Sequence, residues 1–123
     1  VINEDFEWAS TNIKKQLTKD FTSIKKDIES IQKIIDSGRF SPTQKQTWVC
    51  LGVAFGTILI NEMDGMDWVT VIDGNKEYPA LKFKDTDIMV YPTTLIWEKI
   101  KNNQPCNLAE EYKRIEAEVE AVL

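Results

Sequence analysis

The sequence predicts an α+β fold: N-terminal amphipathic helices, a central buried helix, a three-stranded antiparallel β-meander and two C-terminal helices. Three observations predict it. A helical stripe of large apolar residues runs through the first third, an uncharged apolar stretch spans Trp48 to Ile60, and β-forming runs alternate with turn residues from Trp68 to Tyr91. At 123 residues the chain has the length of one domain. It reads as a single unit over 1–123, with an amphipathic helical segment at 1–40 and a helix–meander–helix core at 41–123.

In the first segment, Ile13, Leu17, Phe21, Ile24, Ile28, Ile31 and Ile35 recur every three or four residues. This stripe allows one long helix, or two broken near Asp20 with Asp20 and Thr22 as candidate caps. The repeat is short for a coiled-coil seam, so packing on the chain's own core is expected. Gly38 is a left-handed C-cap. Ser41-Pro42-Thr43-Gln44 then has the form of a capped helix start with a capping box. That helix is expected to reach about Met63 and stop at Gly65. It is apolar nearly all round and therefore central, and Gly52 and Gly56 lie four apart on one face, where a strand or helix can approach closely.

Trp68–Ile72 is the first expected strand, Asp73-Gly74-Asn75-Lys76 a hairpin turn, and Tyr78–Phe83 the second strand. Pro79 suggests the start of an edge strand. After a turn at Lys84–Asp87, Ile88–Tyr91 is the third. Pro92 opens a helix through Asn102, with Leu95, Ile96 and Ile100 on its apolar face. Asn107 caps the last helix, where Leu108, Tyr112, Ile115 and Val119 form a stripe. Glu110 and Arg114 have the spacing of an ion pair there, while Glu116 and Glu120 repel.

The order Leu51-Gly52, Ala54-Phe55-Gly56, Trp68, Asp73-Gly74, Ala80-Leu81 and Pro92 resembles a bacterial family of small proteins, domain of unknown function 3806. The likeness covers about Trp48 to Leu108 and leaves the N-terminal segment outside it. It implies a bacterial origin and a compact helix–meander–helix core. It carries no catalytic residues across.

The chain has no histidine, which removes the serine–histidine and cysteine–histidine catalytic pairs and the common zinc and iron ligand sets. Walker A, GxGxxG and GxSxG runs are also missing. The net charge of −5 belongs wholly to residues 41–123, which hold thirteen acids and eight bases, whereas residues 1–40 hold seven of each. Nucleic acid is therefore not an expected partner. Neither is a membrane, because the thirteen residues from Trp48 to Ile60 fall short of a bilayer span. Val1–Ser10 lacks the pattern of a signal peptide, and Cys50 and Cys106 match no metal spacing, so a reducing, cytoplasmic setting is expected, though a single disulfide stays open.

Four sets of side chains are candidates for chemistry. Glu62, Asp64 and Asp67 around Gly65 have the composition of an oxygen-ligand cation loop, though not EF-hand spacing. Asp73, Glu77, Asp85 and Asp87 need not converge, because the two turns lie at opposite ends of the middle strand. Cys50, in an apolar helix without a histidine, reads as core rather than nucleophile. Trp48, Trp68, Trp97 and Tyr91 also read as core rather than the walls of one pocket.

The functional expectation is a small acidic, non-enzymatic protein-binding domain without cofactor or metal, a monomer or weak homodimer. Its most concrete form is a bacterial immunity-type protein that blocks a basic toxin domain, with Asp64, Asp67, Asp73, Asp85 and Asp87 as partner contacts. The alternatives are a metal- or small-ligand-binding domain or enzyme using the Glu62–Asp67 loop, and an assembly protein that self-associates through the N-terminal stripe.

Overall fold

The computed structural model describes residues 2–17 and 20–123. The N-terminal stripe is divided between α1 (Ile2–Leu17) and α2 (Ile28–Asp36), the second entered through a 3-10 turn at Lys25–Asp27. The break lies near Asp20, as one of the two readings has it, and Thr18 and Lys19 lie outside the described residues. The capping is different from the expectation. Asp20 is exposed and pairs with Lys14 at 3.3 Å. Thr22 acts as a donor: its N–H and Oγ1 donate to Asp27 Oδ2 at 2.8 and 2.9 Å, and Ile24 N–H adds a third bond at 3.4 Å. The nearly buried Asp27 carboxylate therefore organises the entry to α2.

Ile13 and Ile31 are fully buried, Ile28 nearly so, and the adjacent Ile34 is deeper in the core than Ile35. Both N-terminal helices pack on α3 (Lys45–Glu62), and α2 also packs on the last helix, so the stripe is spent on the chain's own core. One buried cluster runs from Ala9 to Val119. Each large aliphatic or aromatic side chain in it contributes about 1.5–3 kcal/mol by leaving water.

Helix α3 begins one turn later than the capping box suggests. Ser41 and Gln44 close a turn on themselves: Gln44 Oε1 accepts from Ser41 N–H at 2.6 Å, and Gln44 N–H donates to the Ser41 carbonyl at 3.0 Å. Ser41 Oγ accepts from Thr43 rather than from Gln44, and Trp48 Nε1 ties the turn down by donating to the Ser41 carbonyl at 3.0 Å. Pro42 therefore sits in the turn and not in the helix.

The sheet is an antiparallel meander of β1 (Met66–Asp73), β2 (Lys76–Phe83) and β3 (Met89–Val90), in that spatial order. Asp73 faces Lys76 across the two-residue loop Gly74-Asn75. A positive φ at Gly74 and not at Asn75 matches a type II′ turn. The expectation of an edge strand at Pro79 needs correction, because β2 is the middle strand. Proline is tolerated there because β3 pairs only with Leu81 and Lys82. Counting alternate pairs from the hairpin, the Thr70–Pro79 pair is a non-hydrogen-bonded one, so the missing N–H points away from β1, along a part of the β2 edge that the short β3 does not reach.

Pro92 opens α4 (Pro92–Lys101), whose start seats on α3 at the two small residues. A methyl group on Gly52 would overlap the Pro92 carbonyl oxygen, and one on Gly56 would meet the Pro92 ring at 3.0 Å and Trp68 at 3.3 Å. Helix α5 (Leu108–Glu120) is capped by Asn107, which accepts from Glu110 N–H at 3.2 Å, and its expected stripe is buried throughout. A side chain from α2 completes this cap: Gln32 Nε2 donates to the Cys106 carbonyl and Gln32 Oε1 accepts from Leu108 N–H, both at 2.9 Å. Arg114 pairs with Glu111 at 2.8 Å and Glu118 at 3.7 Å rather than with the expected Glu110. Glu111 also holds Lys99 of α4 at 3.4 Å, so it is the carboxylate placed between two cations.

Candidate functional site

The register of the hairpin decides which aspartates meet. Met66 pairs with Phe83 and Asp67 with Lys82, so the turn before β1 and the turn after β2 lie side by side. The two turns are joined directly: Lys84 N–H donates to the Gly65 carbonyl at 2.9 Å. Gly65 has φ +104 and Lys84 φ +48, and the Lys84 stem lies against the Gly65 Cα, where no Cβ fits. Thr86 fastens the second turn by donating Oγ1 to the Phe83 carbonyl at 2.6 Å and accepting from Ile88 N–H at 3.2 Å.

Four of the five expected contact residues, Asp64, Asp67, Asp85 and Asp87, are therefore brought to one end of the sheet, all exposed. Lys82 and Lys84 are interleaved with them, and Lys84 leans over the Phe83 ring at 5.3 Å. Asp73 is the exception. It lies at the hairpin tip, at the other end of a strand about 24 Å long. There it accepts from Tyr78 Oη at 2.9 Å, a bond that raises the tyrosine pKa. Glu77 sits at the same far end, so the acids of the two turns do not converge.

Beside the acidic end lies an open groove of about 640 Å³, which the sequence reading did not identify. Ile88, Met89 and Val122 supply its apolar surface, and Asp87, Glu118 and Arg114 its charge. Val122 is 51% exposed. Apolar residues flanked by carboxylates make a surface that can anchor a side chain and orient a basic partner. The groove was hidden from the sequence because the end of α5 reaches the last turn of the meander only in three dimensions.

The other candidates fall elsewhere. Glu62 Oε2 accepts from Lys25 N–H at 3.2 Å and so ties α3 to the entry of α2. Asp67 Oδ1 accepts from the next backbone N–H at 2.8 Å. Among the described residues no three Cys, Asp or Glu side chains gather as a metal-holding set, which leaves the Glu62–Asp67 loop without one. Both cysteines are free. Burial, reinforced by Asp5, pushes the Cys50 thiol up to about 11, and burial likewise pushes Cys106 up to about 11. Trp48 is in the core against Phe40, Trp68 lies on Gly56, Trp97 is half-buried beneath Lys101, and Tyr91 is 43% exposed. These rings are spread over the domain. Among the described residues no helix is long and apolar enough to cross a membrane.

Comparison with known proteins agrees with this architecture. A solved crystal structure from Bacteroides thetaiotaomicron VPI-5482 superposes with a TM-score of 0.83 at 44% sequence identity. The alignment covers 91% of this chain and 41% of that one, so this chain spans less than half of the solved protein's length. No curated protein matches the chain. The family described as domain of unknown function (DUF3806) matches residues 27–112. The match begins at the Asp27 carboxylate, earlier than the likeness read from Trp48 onward, and takes in α2, whose Gln32 clamps the start of α5. With well over half of its length inside that match, the chain belongs to the DUF3806 family.

Proposed function

We propose that this domain is a non-enzymatic protein-binding module whose acidic sheet end docks a basic protein surface. In its most concrete form it is a bacterial immunity-type protein that covers a basic toxin domain in the cytoplasm. The observation that carries the reading is the Gly65–Lys84 tie, which brings Asp64, Asp67, Asp85 and Asp87 together beside the groove of Ile88, Met89 and Val122. Charge of this kind chiefly speeds encounter and selects the partner, while affinity comes from a few buried anchors. Asp73, at the far end, drops out of the contact set. The two free cysteines are in keeping with a reducing compartment.

The test is co-expression. Each gene adjacent to this one in its genome is induced alone and together with this chain, and growth is followed. The proposal expects one neighbour to encode a basic protein that arrests growth, and arrest to be relieved by this chain. If no neighbour is toxic, or relief persists when all four aspartates are changed to asparagine, the immunity reading fails.

A further inference from the structure

A second groove lies on the opposite charge logic. It opens between the entry of α2 and the first turns of α5 and encloses about 230 Å³. Ile28, Ala109 and Tyr112 line it with apolar surface, and Lys25, Lys26 and Lys113 stand around it. Glu29 is the single acid among the described lining residues, so the rim is net positive in a domain that is net negative.

Two of the three lysines are placed against local electrostatic preference. Lys25 and Lys26 occupy the turn that opens α2, where a helix's partial positive charge disfavours cations. Among the described residues no carboxylate comes within ion-pair distance of any of the three ammonium groups, whereas Lys14, Lys99 and Lys101 each have one. Lys25 instead lies over the Tyr112 ring at 5.1 Å. Three exposed cations around an apolar floor, with Glu29 the one acid among the described lining residues, suit a ligand with an anionic head and an apolar body. The volume is below the roughly 300–1,000 Å³ of drug-sized sites, so the body must be small.

We propose that the groove between α2 and α5 binds a small monocarboxylate with an apolar tail, the tail lying on Ile28, Ala109 and Tyr112 and the carboxylate meeting Lys26 and Lys113. This site is separate from the acidic sheet end and does not depend on the reading given to it.

The experiment titrates the isotope-labelled protein with octanoate, and separately with octanol, and follows backbone amide resonances. Octanoate is expected to shift Ile28, Gln32, Ala109 and Tyr112 saturably, with a dissociation constant under about 1 mM. Octanol should bind at least about tenfold more weakly, as should octanoate to the Lys26→Gln/Lys113→Gln variant, since each charge-assisted bond is lost. Ala109→Leu should block the groove. Both lysines are exposed, so their variant should melt like the parent and keeps the test valid even if Ala109→Leu folds poorly. No saturable shift up to about 5 mM overturns the proposal. So does equal binding of octanoate and octanol, an unaffected lysine variant, or shifts confined to another face.

Discussion

The backbone N–H of Lys84 donates to the carbonyl of Gly65 at 2.9 Å, and the Lys84 side chain fills the space where a Gly65 Cβ would stand. This contact holds two acidic turns together that are separated by an entire hairpin in sequence. Gly65→Ala meets both a left-handed φ of +104 and the Lys84 stem, at 2.6 Å from Cε. It should cost about 2 kcal/mol in urea unfolding. Adding Lys84→Ala removes the overlap but not the backbone strain, so the double variant should recover part of the loss. Full additivity of the two changes would contradict the account.

The seating of α4 on α3 predicts an order of severity. At Gly52 the obstacle is the Pro92 backbone carbonyl, which cannot step aside, whereas at Gly56 it is the Pro92 ring and the Trp68 edge. Gly52→Ala should destabilise by about 3 kcal/mol and Gly56→Ala by less. Thermal melts giving the reverse order would place the helix contact wrongly.

Glu111 gives a pH signature. Burial raises its carboxyl pKa, but the Arg114 hydrogen bond and the charges of Arg114 and Lys99 outweigh that and hold it below the ordinary value. A carboxylate with a depressed folded pKa contributes stability that is complete above its unfolded pKa, about 4.3, and is lost as pH falls through the folded value. Glu111→Gln should therefore be less stable than the parent by about 1 kcal/mol at pH 7. The gap should close on acidification below the unfolded pKa. A gap that stays constant down to pH 2 would show that the ion pairs are not its source.

The thiols should be inert. With both cysteines pushed up to about 11 by burial, almost no thiolate exists at neutral pH. Reaction with an aromatic disulfide reagent at pH 7.5 should run about two orders of magnitude slower in the folded protein than in urea. A fast native phase would reopen Cys50 or Cys106 as a reactive site.

Much of this fold was legible where local chemistry decides it. The Ile13–Ile35 period, the Asp73–Lys76 turn, Pro92 at a helix start and Asn107 at a cap are each determined within a few residues. The misreadings share a cause: they depend on partners distant in sequence. Pro79 suggested an edge because nothing near it reveals that β3 is only two residues long. Thr22 has the composition of a cap, but Asp27, which receives its bonds, acts from inside the next turn. The opposite placement of the Asp73 and Asp85 turns followed from simple meander geometry. The register puts Asp73 at the far end of the sheet from the other four aspartates, and the juxtaposition of Asp64 with Asp85 needed the Gly65–Lys84 bond. Neither groove was foreseen, since each is built by α5 meeting an element far from it in the chain.

The central claim is that the acidic sheet end binds a basic protein. It is tested most directly by affinity capture from the source organism's lysate, comparing the parent with the Asp64→Asn/Asp67→Asn/Asp85→Asn/Asp87→Asn variant and with Asp73→Asn, each confirmed folded by circular dichroism. The account predicts that one basic protein is retained by the parent and by Asp73→Asn, is lost from the quadruple variant, and elutes with rising salt. Retention of the same partner by the quadruple variant, or capture of no basic protein by the parent, would contradict it.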